Sequence, residues 1–298
     1  TPIKSSAASD VYKRQIHNMY KINFQEPIHI HFIGIGGISM SGLAEILFEE
    51  HFTISGSDSK ESELTRHLEH MGMQIFYGQK ASNIIEGIDL IVYTAAIRED
   101  NPEFAAAKEK GIPMLSRAEL LGQIMDNYQN SIAVSGTHGK TTTTSMISQI
   151  LLAAKKDPTI TVGGILKAIN GNLRVGKSDV FISEACEYTN SFLNFRPKYS
   201  IILNIEAEHL DFFKDIHDIR NSFHLFAKNT KENGAIIING EIEDYQEIVE
   251  GLAPQVITYG MSDACDFYPA DITFNEKACA GFTCLLYTSP SPRDRSLS

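Results

Sequence analysis

The stretch SIAVSGTHGKTTTT, Ser131 to Thr144, decides the fold. An apolar strand-like run enters a loop containing Gly136 and Gly139, and a lysine and several hydroxyl residues follow at once. A loop of this kind opens a helix whose first amides have no intrahelical acceptor, so the backbone itself offers donors to an anion. In this order Lys140 can reach the terminal phosphates of a nucleotide while Thr141 contacts a magnesium ion. Gly136, Thr137, His138, Gly139 and Thr142 complete the cradle, and ATP is the expected ligand. The usual phosphate-loop spacing would need glycine at 134, where the chain has Val134, so this loop is two residues shorter.

Working outward from the loop toward the C-terminus, the chain reads as an α/β unit. Strands TITV, DVFIS, YSIILNI and GAIII follow, with helices near 219–228 and 245–249. The helix behind the loop carries an apolar stripe of Met146, Ile150 and Leu151. QVITYG, DFYPADITF and CAGFTC lack helical spacing and suggest a small antiparallel extension. Nucleotide phosphates need a divalent ion, held by carboxylates or imidazoles at the carboxyl ends of neighbouring strands. Glu184 follows DVFIS and His209 ends NIEAEH. Thr141, Glu184 and His209 are therefore the candidate metal ligands, and Lys140, Glu184 and His209 the candidate catalytic set. Glu206, Glu208 and Asp211 crowd the same stretch as lesser candidates, and EIEDYQE from Glu241 reads as an exposed helical face.

Toward the N-terminus the βα alternation repeats. The apolar run IHIHFI meets GIGGISMSG, Gly34 to Gly42, which opens a helix carrying Met40, Leu43, Ile46 and Leu47. Strands FTIS, MQIFY, DLIVY and IPML and helices around Leu64, Phe104 and AELLGQIM complete a mainly parallel domain ending near Asp126. The first glycine loop suits a phosphate-binding turn. A dinucleotide fingerprint would need glycine at 39, where the chain has Ser39, which weakens a nicotinamide reading. Asp58, at the end of the next strand, stands where a ribose-binding acid sits in such folds, or serves as a helix cap.

The 298 residues suggest about two domains. With 26 Lys and Arg against 37 Asp and Glu, the formal charge of -11 disfavours nucleic-acid binding. No apolar run reaches 18 residues, and no secretory leader is visible, so the expected compartment is the cytoplasm. Cys186, Cys265, Cys279 and Cys284 lack metal-clip spacing and are expected to be buried free thiols. Residues 1–18, and 285–298 with Pro290 and Pro292 among serines and arginines, read as non-native tails, and the natural protein is expected to continue past Cys284.

The combination of GIGGISMSGLAE, GTHGKTTTT, SEACEYTNSF and LNIEAEHLDFF resembles the Mur ligase family over roughly 28–284. The resemblance implies a Rossmann-like UDP-sugar domain at 19–126, a P-loop-type ATPase domain at 127–284, and a C-terminal domain missing from this chain. It implies that Gly34, Gly36 and Gly37 lie on the UDP-sugar diphosphate, with Ser39 and Asp58 in the same substrate-binding group. Lys140 and Thr141 would hold ATP phosphates and Mg2+, Glu184 and His209 a magnesium each, and Asn204 would stand near the nucleotide. Where many relatives read EADES, this chain has Glu184, Ala185, Cys186, Glu187 and Tyr188, which leaves roles beyond Glu184 open.

The activity implied is ATP-dependent amide formation in peptidoglycan synthesis. A carboxylate is a poor electrophile, so ATP converts the carboxylate of UDP-N-acetylmuramate to an acyl phosphate, and the amine of L-alanine displaces phosphate. Lys140 and the metal ions would offset the negative charge gathered there. A sister ligase attaching a recycled murein peptide to the same UDP-sugar acid shares both loops. A nicotinamide-dependent oxidoreductase would use the first loop alone, and a nucleotide-operated switch or kinase the second alone.

Overall fold

The computed structural model describes residues 21–286 of the chain. The expected N-terminal tail lies outside the described residues. So does the expected C-terminal tail, except that Leu285 and Leu286, assigned to it from the sequence, pair in a strand with Tyr268 and Phe267.

Five strands form the first sheet: β1 (His29–Ile33), β2 (Thr53–Asp58), β3 (Gln74–Tyr77), β4 (Leu90–Tyr93) and β5 (Met114–Ser116). All pairings are parallel, in the order β3-β2-β1-β4-β5. Parallel neighbours need crossovers, here supplied mainly by helices α1 (Ile38–Glu49), α2 (Glu63–Met71) and α3 (Pro102–Glu109). The helix starts are written in the sequence: Ser62 caps α2 through the Thr65 amide, and Asn101 caps α3 with Pro102 in its first turn. Chain order reverses between β1 and β4, the place where open α/β sheets leave a crevice for ligands.

Helix α4 (Arg117–Asp126) leads to the second, nine-stranded sheet. Its centre is β6 (Asn130–Ser135), flanked by β10 (Tyr199–Ile202) and β9 (Val180–Glu184). Beyond β9 lie β7 (Thr159–Leu166) and β8 (Gly171–Arg174), and beyond β10 come β11 (Ala235–Asn239), β12 (Gln255–Tyr259), β13 (Phe267–Phe274) and β14 (Ala280–Leu286). Helices α5 (Lys140–Ala153), α6 (Ile216–Lys228) and α7 (Tyr245–Val249) complete the unit. The antiparallel extension is smaller than the sequence suggested. QVITY forms β12, which pairs parallel with β11, and only β13 and β14 make an antiparallel hairpin. The edge strand β8, antiparallel to β7, carries no pattern that the reading detected.

Two other expectations are corrected. Met146 and Ile150 on α5 face outward, 59% and 66% exposed, while the small residues Thr144 and Ser148 are buried and let the helix approach the sheet closely. Of the four free cysteines only Cys265 is buried, because Cys186 lies on a cleft and Cys279 and Cys284 belong to the exposed hairpin.

The two sheets share a continuous core. Phe192 stacks on Phe226 with centroids 4.8 Å apart, and Tyr128 meets Phe24 edge-on at 5.7 Å and Phe181 at 5.0 Å. Helix α4 packs on the 3-10 segment Tyr188–Asn194. A Cβ at Gly122 would fall 2.1 Å from the Asn194 carbonyl oxygen, so this close crossing tolerates only glycine.

Candidate functional site

The second loop lies between the ends of β6 and α5, with Gly139 at φ +82° before the first helical residue. Lys140 does not extend into solvent. Its ammonium donates to the carbonyls of Gly136 (2.5 Å) and Thr137 (3.1 Å) and to the Glu187 carboxylate (2.9 and 3.1 Å). Asn204, just past β10, ties the loop from the other side. Its Oδ1 accepts from the Thr137 hydroxyl (2.7 Å) and the His138 amide (2.8 Å), while its Nδ2 donates to the His138 carbonyl (3.1 Å). Thr142 follows on the first turn of α5.

Two carboxylates serve two different groups. Glu184, the last residue of β9, accepts from the Thr141 hydroxyl (3.1 Å) and the Gly163 amide (2.6 Å). Glu187 is only 1% exposed and pairs with Lys140 and with His209, whose Nε2 lies 3.3 Å away. His209, expected with Glu184 among the metal ligands, faces Glu187 here. The chain turns after β9, through Cys186, and carries Glu187 inward ahead of Thr189 and Asn190, both in the left-handed region. Ligand atoms of Glu187, Glu208 and His209 all lie within 4.8 Å of one another. His138 faces Glu208 at 3.3 Å and Glu206 at 3.6 Å, so of the lesser candidates Glu208 joins the cluster most closely. Asp211 accepts from the Tyr188 hydroxyl (3.0 Å), which holds that phenol above its ordinary value.

The carboxylates of Glu187 and Glu208 with the His209 imidazole form a donor set able to hold a divalent cation. Thr141 and Glu184 form a separate pair of oxygen donors.

At the first loop the glycine amides are already engaged. The amides of Gly34 and Ile35 both donate to the Ser57 carbonyl (2.8 and 2.9 Å), and that of Gly36 donates to the Asp58 carboxylate (2.9 Å). A Cβ on Gly36 would lie 2.7 Å from that carboxylate oxygen, so glycine is needed for the contact. Asp58 thus braces the loop instead of standing free beside it. Gly37 precedes α1 without any side-chain cap, which leaves the amides of Ile38 and Ser39 as the natural anion donors. The Ser39 hydroxyl accepts from the Arg117 guanidinium (3.0 Å).

Beneath the loop Glu103 is fully buried and held above the ordinary carboxylate range by burial. It accepts from the Ser57 hydroxyl (2.5 Å) and the Asn83 amide (2.5 Å). His31 beside it, also fully buried, is pushed down to about 4, first by burial and then by the neighbouring His29.

A cleft of about 190 Å3 has Ser39 of the first loop and Glu184, the partner of Thr141, on its walls. Ile38, Ser39 and Arg117 line it from the first domain, and Gly163, Glu184 and Cys186 from the second. Partial desolvation at the cleft wall raises the Cys186 thiol above its usual value, so it is held as the neutral thiol. The sequence reading did not select Glu187 or Arg117. The one signal for Glu187 was its place three residues after a strand-end acid.

Residues 29–129 match the catalytic domain of the Mur ligase family and residues 134–287 match the Mur ligase middle domain. A UDP-N-acetylmuramate–L-alanine ligase of Agathobacter rectalis is 73% identical over 272 residues, covering 91% of this chain and 59% of its own length. The ligase of the same name from Lachnospira eligens is 58% identical over 269 residues, covering 90% and 59%. The chain therefore spans about three-fifths of the length of these curated relatives.

Among solved structures, the UDP-N-acetylmuramate:L-alanyl-gamma-D-glutamyl-meso-diaminopimelate ligase of Neisseria meningitides matches with a TM-score of 0.75 at 28% identity, covering 88% of this chain and 85% of that one. The UDP-N-acetylmuramate–alanine ligase of Thermotoga maritima matches with a TM-score of 0.67 at 30% identity, covering 83% and 55%. A nicotinamide oxidoreductase would leave the match at 134–287 unexplained, and a simple nucleotide switch the match at 29–129. With both halves matched in order, the chain belongs to the Mur ligase family.

Proposed function

We propose that this chain carries the UDP-sugar and ATP sites of an ATP-dependent ligase that joins the carboxylate of UDP-N-acetylmuramate to the amine of L-alanine in peptidoglycan synthesis. The observation that carries the reading is the shared cleft, where Ser39 and Arg117 from one anion site face Glu184 from the other. The high identity to ligases of that name favours this amine over a murein peptide.

In this reading the nucleotide sugar lies on the opening amides of α1, with Gly34, Gly36 and Gly37 shaping the turn and Asp58 bracing it. Lys140 turns from the loop carbonyls to the ATP phosphates, and Thr141, Asn204 and the loop residues 136–139 and 142 keep the cradle in shape. Glu187 and His209, with Glu208, would hold one magnesium ion, and Thr141 with Glu184 another; the ions supply neutralisation of phosphate charge. A carboxylate oxygen of the acid attacks the terminal phosphorus and ADP leaves. The amine then attacks the acyl carbon, loses a proton, and expels phosphate. Holding the acid in the cleft against Glu184, the partner of Thr141, would make its meeting with the phosphates an intramolecular event. Both nucleotide substrates belong to the cell interior, so the proposed compartment is the cytoplasm.

Calorimetric titration of this chain with UDP-N-acetylmuramate, beside one with NADH, tests the reading. Binding of the first at one site per chain and none of the second is expected. Binding of NADH alone would overturn it.

A further inference from the structure

The cleft holds one cation that nothing above explains. Arg117 opens α4, at the end of the edge strand β5, and is half-buried. Its only hydrogen-bond partner among the described residues is the neutral Ser39 hydroxyl, and no carboxylate among them lies within ion-pairing distance. In a chain with a formal charge of -11, a guanidinium kept free of carboxylates is a site built for an outside anion.

The cleft also indicates which anion. Ser39 lines it, but none of Gly34, Gly36 and Gly37 does. Its volume of about 190 Å3 is below the roughly 300–1,000 Å3 of a pocket that encloses a whole small-molecule ligand. It therefore suits the reacting end of a nucleotide sugar, beyond the diphosphate. Arg117 is the one cation and Glu184 the one carboxylate among its lining residues. An incoming carboxylate placed there would be repelled by Glu184 unless a fixed positive group faced it. The Cys186 thiol, on the wall of the same cleft, feels both the Lys140 ammonium and the Arg117 guanidinium.

We propose that Arg117 binds the carboxylate of the acidic nucleotide sugar, holding it in the cleft opposite Glu184 until it is phosphorylated. The planar fork of the guanidinium matches a carboxylate through two parallel hydrogen bonds, and Ser39 keeps the fork turned toward the cleft. The proposal rests on the ligase reading above and adds to it the residue that selects the acid over a neutral sugar.

The test compares binding of UDP-N-acetylmuramate with binding of UDP-N-acetylglucosamine, which lacks the carboxylate, by calorimetry on this chain and on Arg117→Gln and Arg117→Lys. The unaltered chain should prefer the acid. Arg117→Gln should weaken the acid about tenfold to a hundredfold while leaving the neutral sugar unchanged, which also shows that the variant is folded. Arg117→Lys should recover part of the preference. An unchanged affinity for the acid in Arg117→Gln, or an equal fall for both sugars, as expected if the guanidinium held the diphosphate, overturns the assignment and leaves the ligase reading standing. Failure of the unaltered chain to bind either nucleotide sugar overturns the ligase reading itself.

Discussion

The two glycine loops occupy equivalent places, each between a parallel strand and a helix, yet they are supported in opposite ways. The first is braced by its own surroundings: Ser57 and Asp58 take up the amides of Gly34, Ile35 and Gly36. The second keeps its charge in reserve, with Lys140 folded onto two loop carbonyls and onto Glu187. A braced loop can only hold an anion that stays unchanged, through helix-end amides of fixed position. A loop whose lysine can exchange partners suits a phosphate whose charge changes during reaction. On the proposed function, the same secondary structure would serve recognition in one domain and chemistry in the other.

If this contrast is right, Lys140→Ala produces the largest effect. It should weaken ATP binding about a thousandfold, roughly 4 kcal/mol, and leave UDP-sugar binding within twofold. Equal loss at both sites, read by calorimetry with each ligand, would break the division of labour between the loops.

The next comparison separates the two acids of the second site. Glu187 is the buried partner of Lys140 and His209, whereas Glu184 holds Thr141 and the Gly163 amide. Glu187→Gln should raise the Mg2+ concentration needed for ATP binding by about a hundredfold and Glu184→Gln by about tenfold. The reverse order would make Glu184, one of the ligands expected with Thr141 and His209, the principal metal ligand.

That reversal shows what was legible. Lys140, Thr141 and the glycines could be read because the shape of the loop that carries them is local, fixed by spacing along a few residues. Two parallel α/β units were also legible, because apolar strands alternating with helical spacing admit few other folds. Glu187 was not, since its approach to His209 depends on a turn containing two left-handed residues, Thr189 and Asn190, with φ of 54° and 58°. Arg117 meets Ser39 across 78 positions of sequence, through the order of the strands and the crossing at Gly122. The outward stripe of α5 misled for a related reason. Periodicity marks an apolar face but does not say which side meets the sheet, and here Thr144 and Ser148 do.

A smaller effect probes the brace of the first loop. In Gly36→Ala the new methyl would meet the Asp58 carboxylate at 2.7 Å and Thr65 Cγ2 at 2.9 Å. Thermal unfolding should report a loss of about 2 kcal/mol, typical of an overpacked contact, together with weaker UDP-sugar binding and unaltered ATP binding. An unchanged melting temperature would mean that Asp58 moves freely and braces nothing.

The smallest effect concerns the buried support under that loop. His31 ionises at about 4 in the folded chain and near its ordinary 6.5 when unfolded. Between these values the unfolded chain binds the extra proton, so stability rises with pH across the window and levels off above it. Glu103, held above its ordinary 4.5 by burial, acts in the opposite sense: the folded chain keeps that proton longer, and stability falls as pH rises through its folded value. The two slopes partly cancel, and His31→Gln leaves only the second. Denaturant unfolding at pH 4.5 and pH 7 should therefore show the original chain gaining about 1 kcal/mol more than the variant as pH rises. Because no atom of this network reaches the second loop, ATP affinity should show no difference between the two chains over the same interval. A matched pH dependence of ATP affinity would mean that the braced and the chargeable loop are coupled through the interior after all.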